Sequence, residues 1–299
     1  MSLADQVRPA GLARALGGRS SSLLVVPLLL FDLLVFVVPF GYLLRISLTE
    51  RTTATAYGEG TWSLDGFQYV LETATLRETY LFTLGFAAVA TVVSVGIAVL
   101  YAYAMWRAEG VRRLVLTAGV LVSMFTAIVV KLFAAILVFA PNGVLAGVLT
   151  ATGLFAKPPL LVNNVIGALL GQLYVVVPYS VLAVYSVLAT VDESLLEAAR
   201  DLGAGRLRTF RAVVLPHTVP GMLVAGVISF TWSVGAYAAP LLVGSSSERT
   251  AGMAVSDLLL NRFDWSAAAA LAVLVTLTVF LVLVVTRVVL TRLEVDAGV

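Results

Sequence analysis

Few side chains in this chain can do covalent or acid–base chemistry. There is no Cys and a single His, His217, which excludes disulfides, thiolate nucleophiles and multi-His metal centres. No H-E-x-x-H or G-x-S-x-G pattern is present, and His217 has no nucleophile partner in view. A phosphate-cradling loop of the form G-x-x-x-x-G-K-[ST] is also missing. The only lysines, Lys131 and Lys157, follow Val130 and Ala156 and precede Leu132 and Pro158. What remains is polar chemistry of another kind: two charges set inside apolar segments, two stripes of small and polar residues, and one strongly patterned polar loop.

The loop spans 190–216. It reads Glu197-Ala198-Ala199-Arg200-Asp201-Leu202-Gly203, nine further residues, then Val213-Val214-Leu215-Pro216. Thr190 and Ser194 each stand three residues before a glutamate, Glu193 and Glu197, which is the spacing of a capping box. A helix therefore starts here. Leu195, Leu196, Ala199 and Leu202 share one of its faces, and Glu193, Glu197, Arg200 and Asp201 fall largely on the other. Ala198 and Ala199 are small enough to let another surface approach closely. Gly203 sits where a left-handed residue caps a helix. A second short helix is predicted over 206–213, stopping before Leu215 and Pro216. Pro216, Pro220 and Gly221 then mark the restart of the chain as a membrane span. Part of this pattern would suit any amphipathic surface helix; the full spacing is far more specific.

The elements around the loop follow from composition. The chain is 60% hydrophobic and 12% charged, with a mean hydropathy of +1.02. About 25% charged is usual for a soluble domain. Six apolar stretches, near 22–44, 80–106, 115–140, 161–188, 219–244 and 267–286, approach or exceed the roughly 20 residues that a helix needs to cross a bilayer. The alternation of a membrane β-barrel is absent, so the predicted fold is an all-α polytopic membrane protein of six transmembrane helices. Twelve arginines fall on one side of these spans, against five arginines and Lys157 on the other. The richer side is read as cytoplasmic and carries both termini. The first span is preceded by basic residues, as in a signal peptide, but it is too long and no A-x-A-like site follows it. The expected organisation is a basic tail over 1–21, a membrane domain over 22–292 and a short tail over 293–299. The basic tail either lies on the anionic leaflet or is a simple extension. Two segments on the opposite side, 47–79 and 245–266, are polar yet aromatic. They are either a docking surface or loops anchored by interfacial aromatics. The net charge of +2 points to no nucleic-acid partner.

Charges inside a membrane are costly and mark functional candidates. Asp32 falls near the middle of the first span and Lys131 in the outer half of the third. They pair, or Lys131 snorkels outward, or they face a solute. Gly226, Ser229, Ser233 and Tyr237 form one helical stripe, and Asn164, Gly167, Gly171, Tyr174 and Pro178 another. Such stripes either pack helices closely or line a polar pathway. A cation at Lys131 would oppose a cationic solute. His217, near the membrane edge, is read as structural.

The loop closely resembles the EAA loop of prokaryotic binding-protein-dependent ABC importer permeases. Val177-Pro178-Tyr179, Val191-Asp192-Glu193, Gly203-Ala204, Leu215-Pro216, Pro220-Gly221 and Ala239-Pro240-Leu241-Leu242-Val243-Gly244 carry the likeness along the chain, with Asp264-Trp265 before the last span. The resemblance covers about 75–292 and is closest to the spermidine/putrescine-type branch, which also carries ferric iron, thiamine and aminoethylphosphonate. Val213 departs from the usual Ile. The resemblance implies a type I importer fold in the prokaryotic plasma (inner) membrane. It also implies ATPase-coupling roles for Glu197, Ala198, Ala199, Asp201, Gly203, Leu215 and Pro216. It further implies two copies of a separate ATP-binding subunit holding ATP and Mg2+, a second and different permease chain, and an external substrate-binding protein, with no cofactor in this chain. A secondary transporter or channel is the competing reading; it would leave the loop unexplained.

Overall fold

The computed structural model describes residues 20–52, 55, 57–153, 160–192, 194–245 and 247–296. The predicted N-terminal tail lies almost wholly outside them, and helix is already present at Ser20. Twelve helical elements occur among the described residues. They are α1 (20–47), α2 (Asp65–Glu72), α3 (Ala74–Arg107), α4 (Gly110–Phe125), α5 (Ile128–Phe139) and α6 (Val144–Ala151). Then come α7 (Val165–Leu188), α8 (Ser194–Asp201), α9 (Arg206–Val234), α10 (Ala238–Val243), α11 (Ala251–Leu260) and α12 (Trp265–Asp296). No strand occurs among the described residues. Six stretches of helix among them are long and apolar enough to cross a bilayer. Apolar side chains favour that outcome because a helix satisfies its own backbone where no water can.

The bundle is built on α3, α7 and α9, which pack against one another along their length. Small residues permit this. A Cβ at Gly221 of α9 would lie 3.0 Å from Ala183 O and 3.1 Å from Val184 Cα of α7. A Cβ at Gly167 of α7 would lie 2.7 Å from Val243 O of α10, and one at Gly171 3.1 Å from Leu132 Cδ2 of α5. Ser94 of α3 and Ser180 of α7 hydrogen-bond at 2.8 Å inside this core. α12 lies on α9, α11, α2 and the C-terminal part of α1. The N-terminal half of α1 touches little, and Leu28 to Val38 are exposed on every side.

Four boundaries differ from the sequence reading. The predicted third span, 115–140, is two helices, α4 and α5, separated by the extended pair Thr126 and Ala127. The predicted fifth span ends at Val234, and α10 follows Gly235, Ala236 and Tyr237 as a separate short helix. The chain also does not stop before Pro216. Helix runs unbroken from Arg206 to Val234, widening into a π-turn over Phe210–Val214. A proline lacks an N–H and crowds the carbonyl four residues back; a wider turn just before it relieves that clash. The same device appears in α1, where a π-turn over Leu33–Val37 precedes Pro39. The last helix extends to Asp296, into the segment expected to be a tail.

The two polar aromatic segments meet at one end of the bundle. Arg51 Nη2 pairs with Asp264 Oδ2 at 2.6 Å, and its guanidinium lies 3.4 Å from the centre of the Tyr69 ring. Asp264 Oδ1 accepts from Ala267 N at 3.1 Å, so this carboxylate also caps α12. Ser266 Oγ donates to Thr49 O at 2.7 Å. Arg45 stacks 4.1 Å from the centre of the Trp62 ring. The 190–216 loop occupies the other end of the bundle.

Candidate functional site

The loop is a helical corner. α8 begins at Ser194, whose N–H donates to Asp192 Oδ1 at 2.9 Å. This bond and one from the Ser194 hydroxyl hold the Asp192 carboxyl below the usual carboxylate range. Of the two expected capping boxes, the one at Thr190 and Glu193 falls partly outside the described residues, and Thr190 Oγ1 donates back to Val187 O at 2.7 Å. An Asx-type turn at Asp192 leads into the helix, because its short carboxylate reaches the amide two residues on.

α8 ends as the sequence predicts. Gly203 has φ +78°, and Ala204 N donates to Ala199 O at 2.9 Å, the six-to-one bond of a Schellman cap. Gly205 then leads into α9. One residue anchors the corner: Leu196 is 3% exposed and joins the core formed by Ala98, Met105, Val184, Leu188 and Val214. Burying a leucine contributes about 1.5–3 kcal/mol, enough to hold the loop on the bundle. Phe210 packs edge-on against Tyr103 at 5.0 Å and supports α9 just past the turn.

The rest of the corner points outward. Glu197, Ala198, Asp201 and Leu202 are exposed, Leu202 at 87%. Ala199 and Leu215 are half-buried, and Pro216 is exposed on α9. The expected four-residue apolar face therefore divides. Leu196 faces the core, while Leu195 and Leu202 present apolar surface to the outside. An exposed leucine beside two carboxylates and two small alanines forms a knob without a partner among the described residues. Beside it, a cavity of about 870 Å³ is lined by Leu100, Tyr103, Arg107, Leu196, Arg206 and Phe210, among others.

The candidate pathway residues do not form one lining. Asn164 is the N-cap of α7: its Oδ1 accepts from Gly167 N at 2.9 Å, and its amide donates to Leu160 O at 2.8 Å. Ser233 is buried and accepts from Gln172 Nε2 at 3.3 Å. Ser229 is buried beside it with no hydrogen-bond partner. These residues hold helices together, as do Gly167 and Gly171. Tyr174 and Tyr237 are exposed, and Tyr237 lies past the end of α9 rather than on a stripe along it. Asp32 is exposed on α1 and does not pair with Lys131. Lys131 is 1% exposed, with its Nζ 5.9 Å from the centre of the Tyr174 ring. His217 Nδ1 donates to Val213 O at 2.6 Å, a local helix contact. Sequence reasoning missed Gln172 and the Ser94–Ser180 pair, because a serine or glutamine in an apolar run shows no partner in one dimension.

A six-span helical bundle whose loop presents an anchored, outward helical corner has the architecture of a membrane-embedded transport subunit. Residues 94–295 match the model of the family described as binding-protein-dependent transport system inner membrane component. The spermidine/putrescine transport system permease protein PotB of Haemophilus influenzae is 28% identical over 202 residues, covering 66% of this chain and 71% of that protein. PotB of Escherichia coli strain K12 is 25% identical over 224 residues, covering 75% and 81%. Among solved structures, a bacterial ABC transporter that imports the acidic polysaccharide alginate superposes with a TM-score of 0.73 at 14% identity, covering 91% of this chain and 94% of that one. The MetNI methionine ABC transporter gives 0.55 at 17% identity, covering 76% and 97%. The chain belongs to the binding-protein-dependent transport system inner membrane component family. It is a multi-pass permease subunit of an ABC importer in the prokaryotic plasma membrane, on the spermidine/putrescine-type branch.

Proposed function

We propose that α8 and the Gly203 corner couple this permease to a separate ATP-hydrolysing subunit. The observation that carries this reading is the division of α8. Leu196 fixes the helix to the bundle, and Glu197, Ala198, Asp201 and Leu202 stand outside as a small knob of mixed charge and apolar surface. Such a knob fits a groove, with Ala198 and Ala199 permitting close approach. Arg206, Arg208 and Arg211 beside it agree with a cytoplasmic location for this end, by the excess of arginine over the opposite end. ATP and Mg2+ bind the partner subunits, since this chain carries no phosphate-cradling motif.

Each corner serves one ATPase, so the working assembly has two permeases and two ATPases. The second permease is a homologous but different chain, and an external binding protein delivers the solute at the Arg51–Asp264 end. The solute is small, of the kinds carried on this branch: a polyamine, an aminoethylphosphonate or ferric iron. ATP-driven closure of the ATPases moves the corner and α9 together, switching the pathway between its two openings. Native mass measurement of the solubilised complex tests the assembly: two permeases with two ATPases are expected. A lone monomer that transports without an ATPase would overturn the reading.

A further inference from the structure

The predicted third span is broken inside an apolar run, just before the apolar stretch 128–151. α4 ends at Phe125 and α5 starts at Ile128; Thr126 N and Oγ1 both donate to Val122 O, at 3.0 and 2.6 Å. No side chain caps the start of α5, and the first internal bond there is Lys131 N to Ala127 O at 3.0 Å. The amides of Ile128, Val129 and Val130 form the open first turn of a 12-residue helix. Ala127, Val129 and Val130 are exposed.

This break lies deep in the bundle. Lys131 is level with Tyr174, which is nine residues after the start of α7 and fourteen before its end. At 1.5 Å per residue those are about 14 and 21 Å. Open backbone at that depth occurs where it lines a watered cavity or is covered by protein, not against lipid. Lys131 stands in the same turn. It is 1% exposed, and the ion pairs among the described residues, Arg51–Asp264, Arg249–Asp257 and Arg262–Asp257, leave it unpaired. Its Cα–Cβ bond, like every one in a helix, tilts toward the N-terminus, and its Nζ lies 5.9 Å from the centre of the Tyr174 ring. A fixed cation and the positive end of a helix thus add at one place. The only described acid well inside a span, Asp32, is on α1 and does not answer them.

We propose that the 126–131 break is an oxyanion-binding step of the transport pathway, and that the carried solute bears a phosphonate or phosphate group rather than being a polycation. The inference rests on the importer reading above and narrows its substrate. A mid-membrane ammonium next to uncapped amides matches a phosphorus oxyanion in charge and in hydrogen-bond donors. The same groups repel a polyamine.

The test uses the complex purified through this permease with its ATPase and binding protein, reconstituted in vesicles. ATP hydrolysis is titrated with 2-aminoethylphosphonate, inorganic phosphate, putrescine and spermidine. A phosphorus oxyanion is expected to stimulate, and the polyamines are not. Lys131→Met, which keeps the volume and removes the charge, is expected to raise the half-stimulating concentration at least tenfold. Lys131→Arg is expected to stay within about threefold of wild type. Assembly of each variant, read by size-exclusion chromatography, separates loss of binding from loss of fold. Wild-type stimulation of an assembled Lys131→Met complex overturns the site. Stimulation by polyamines alone, or by none of the four, overturns the substrate class and leaves the importer reading standing. A purified complex without an ATPase overturns both.

Discussion

Gly203 offers the sharpest test of the corner, because its cost is calculable in isolation. Its φ is +78°, and a Cβ built there meets nothing within 4 Å. A side chain therefore collides with no neighbour, and only backbone strain remains. Holding an L-residue in the left-handed region costs about 1–2 kcal/mol. β-Branched residues sit at or beyond the upper end, while asparagine is tolerated. The strain opposes the bond from Ala204 N to Ala199 O that closes the cap. At roughly 1.4 kcal/mol per tenfold, it reduces the cornered form about 5- to 30-fold relative to opened forms. The assay is solute-stimulated ATP hydrolysis in reconstituted vesicles across Gly203→Asn, Gly203→Ala and Gly203→Val. The expected order is glycine, then asparagine close behind, then alanine, then valine, with unchanged membrane insertion. Equal activity of the valine variant and wild type would refute the reasoning. So would asparagine failing as badly as valine, since that would mean the site objects to any side chain and not to the backbone angle.

Three further outcomes follow from the geometry. Glu197→Lys reverses an exposed charge on the knob and is expected to weaken copurification of the ATPase without reducing insertion; full copurification would remove Glu197 from the contact. Asp264→Ala is expected to lower stability by about 1–2 kcal/mol through loss of the α12 cap alone, with more from stranding Arg51. Asp264→Asn, which keeps a capping oxygen, is expected to lower the thermal midpoint in detergent less. The Asp257 carboxyl is held below the usual range, first by its hydrogen bond from Asn261 and then by Arg249 and Arg262. A depressed folded pKa gives stability that is present above the unfolded value and lost as pH falls through the folded one. The thermal midpoint of wild type is expected to drop below about pH 4 more steeply than that of Asp257→Asn.

The six crossings were legible because length and apolarity are properties of a run of residues. The Gly203 corner was legible because only glycine adopts that angle cheaply. The break at Thr126 was not, since Thr126-Ala127-Ile128-Val129-Val130 contains neither glycine nor proline and continues the apolar run. Pro216 misled in the opposite direction: a proline signals a stop, but the π-turn before it lets the helix continue. The stripe Ser229–Ser233 was visible as spacing, yet spacing does not say which way it faces. It faces α7, where Gln172 meets it. Periodicity places Leu202 on one face with Leu196, but a helix of eight residues fixed by Leu196 buries only the part that reaches the bundle.

The unbroken course of α9 has a mechanical consequence. It packs tightly on α7 at Gly221, where a Cβ would lie 3.0 Å from Ala183 O and 3.1 Å from Val184 Cα. Gly221 lies fifteen residues from Arg206 and thirteen from Val234, or about 22 and 20 Å along the axis. A stiff rod pinned near its midpoint is a balanced beam. A shift of its loop end in one direction appears at the Ser233 end as a shift of nearly equal size in the other. With the π-turn over Phe210–Val214 and Pro220 held rigid, opening one end of the bundle draws the other closed, with little gain or loss of amplitude.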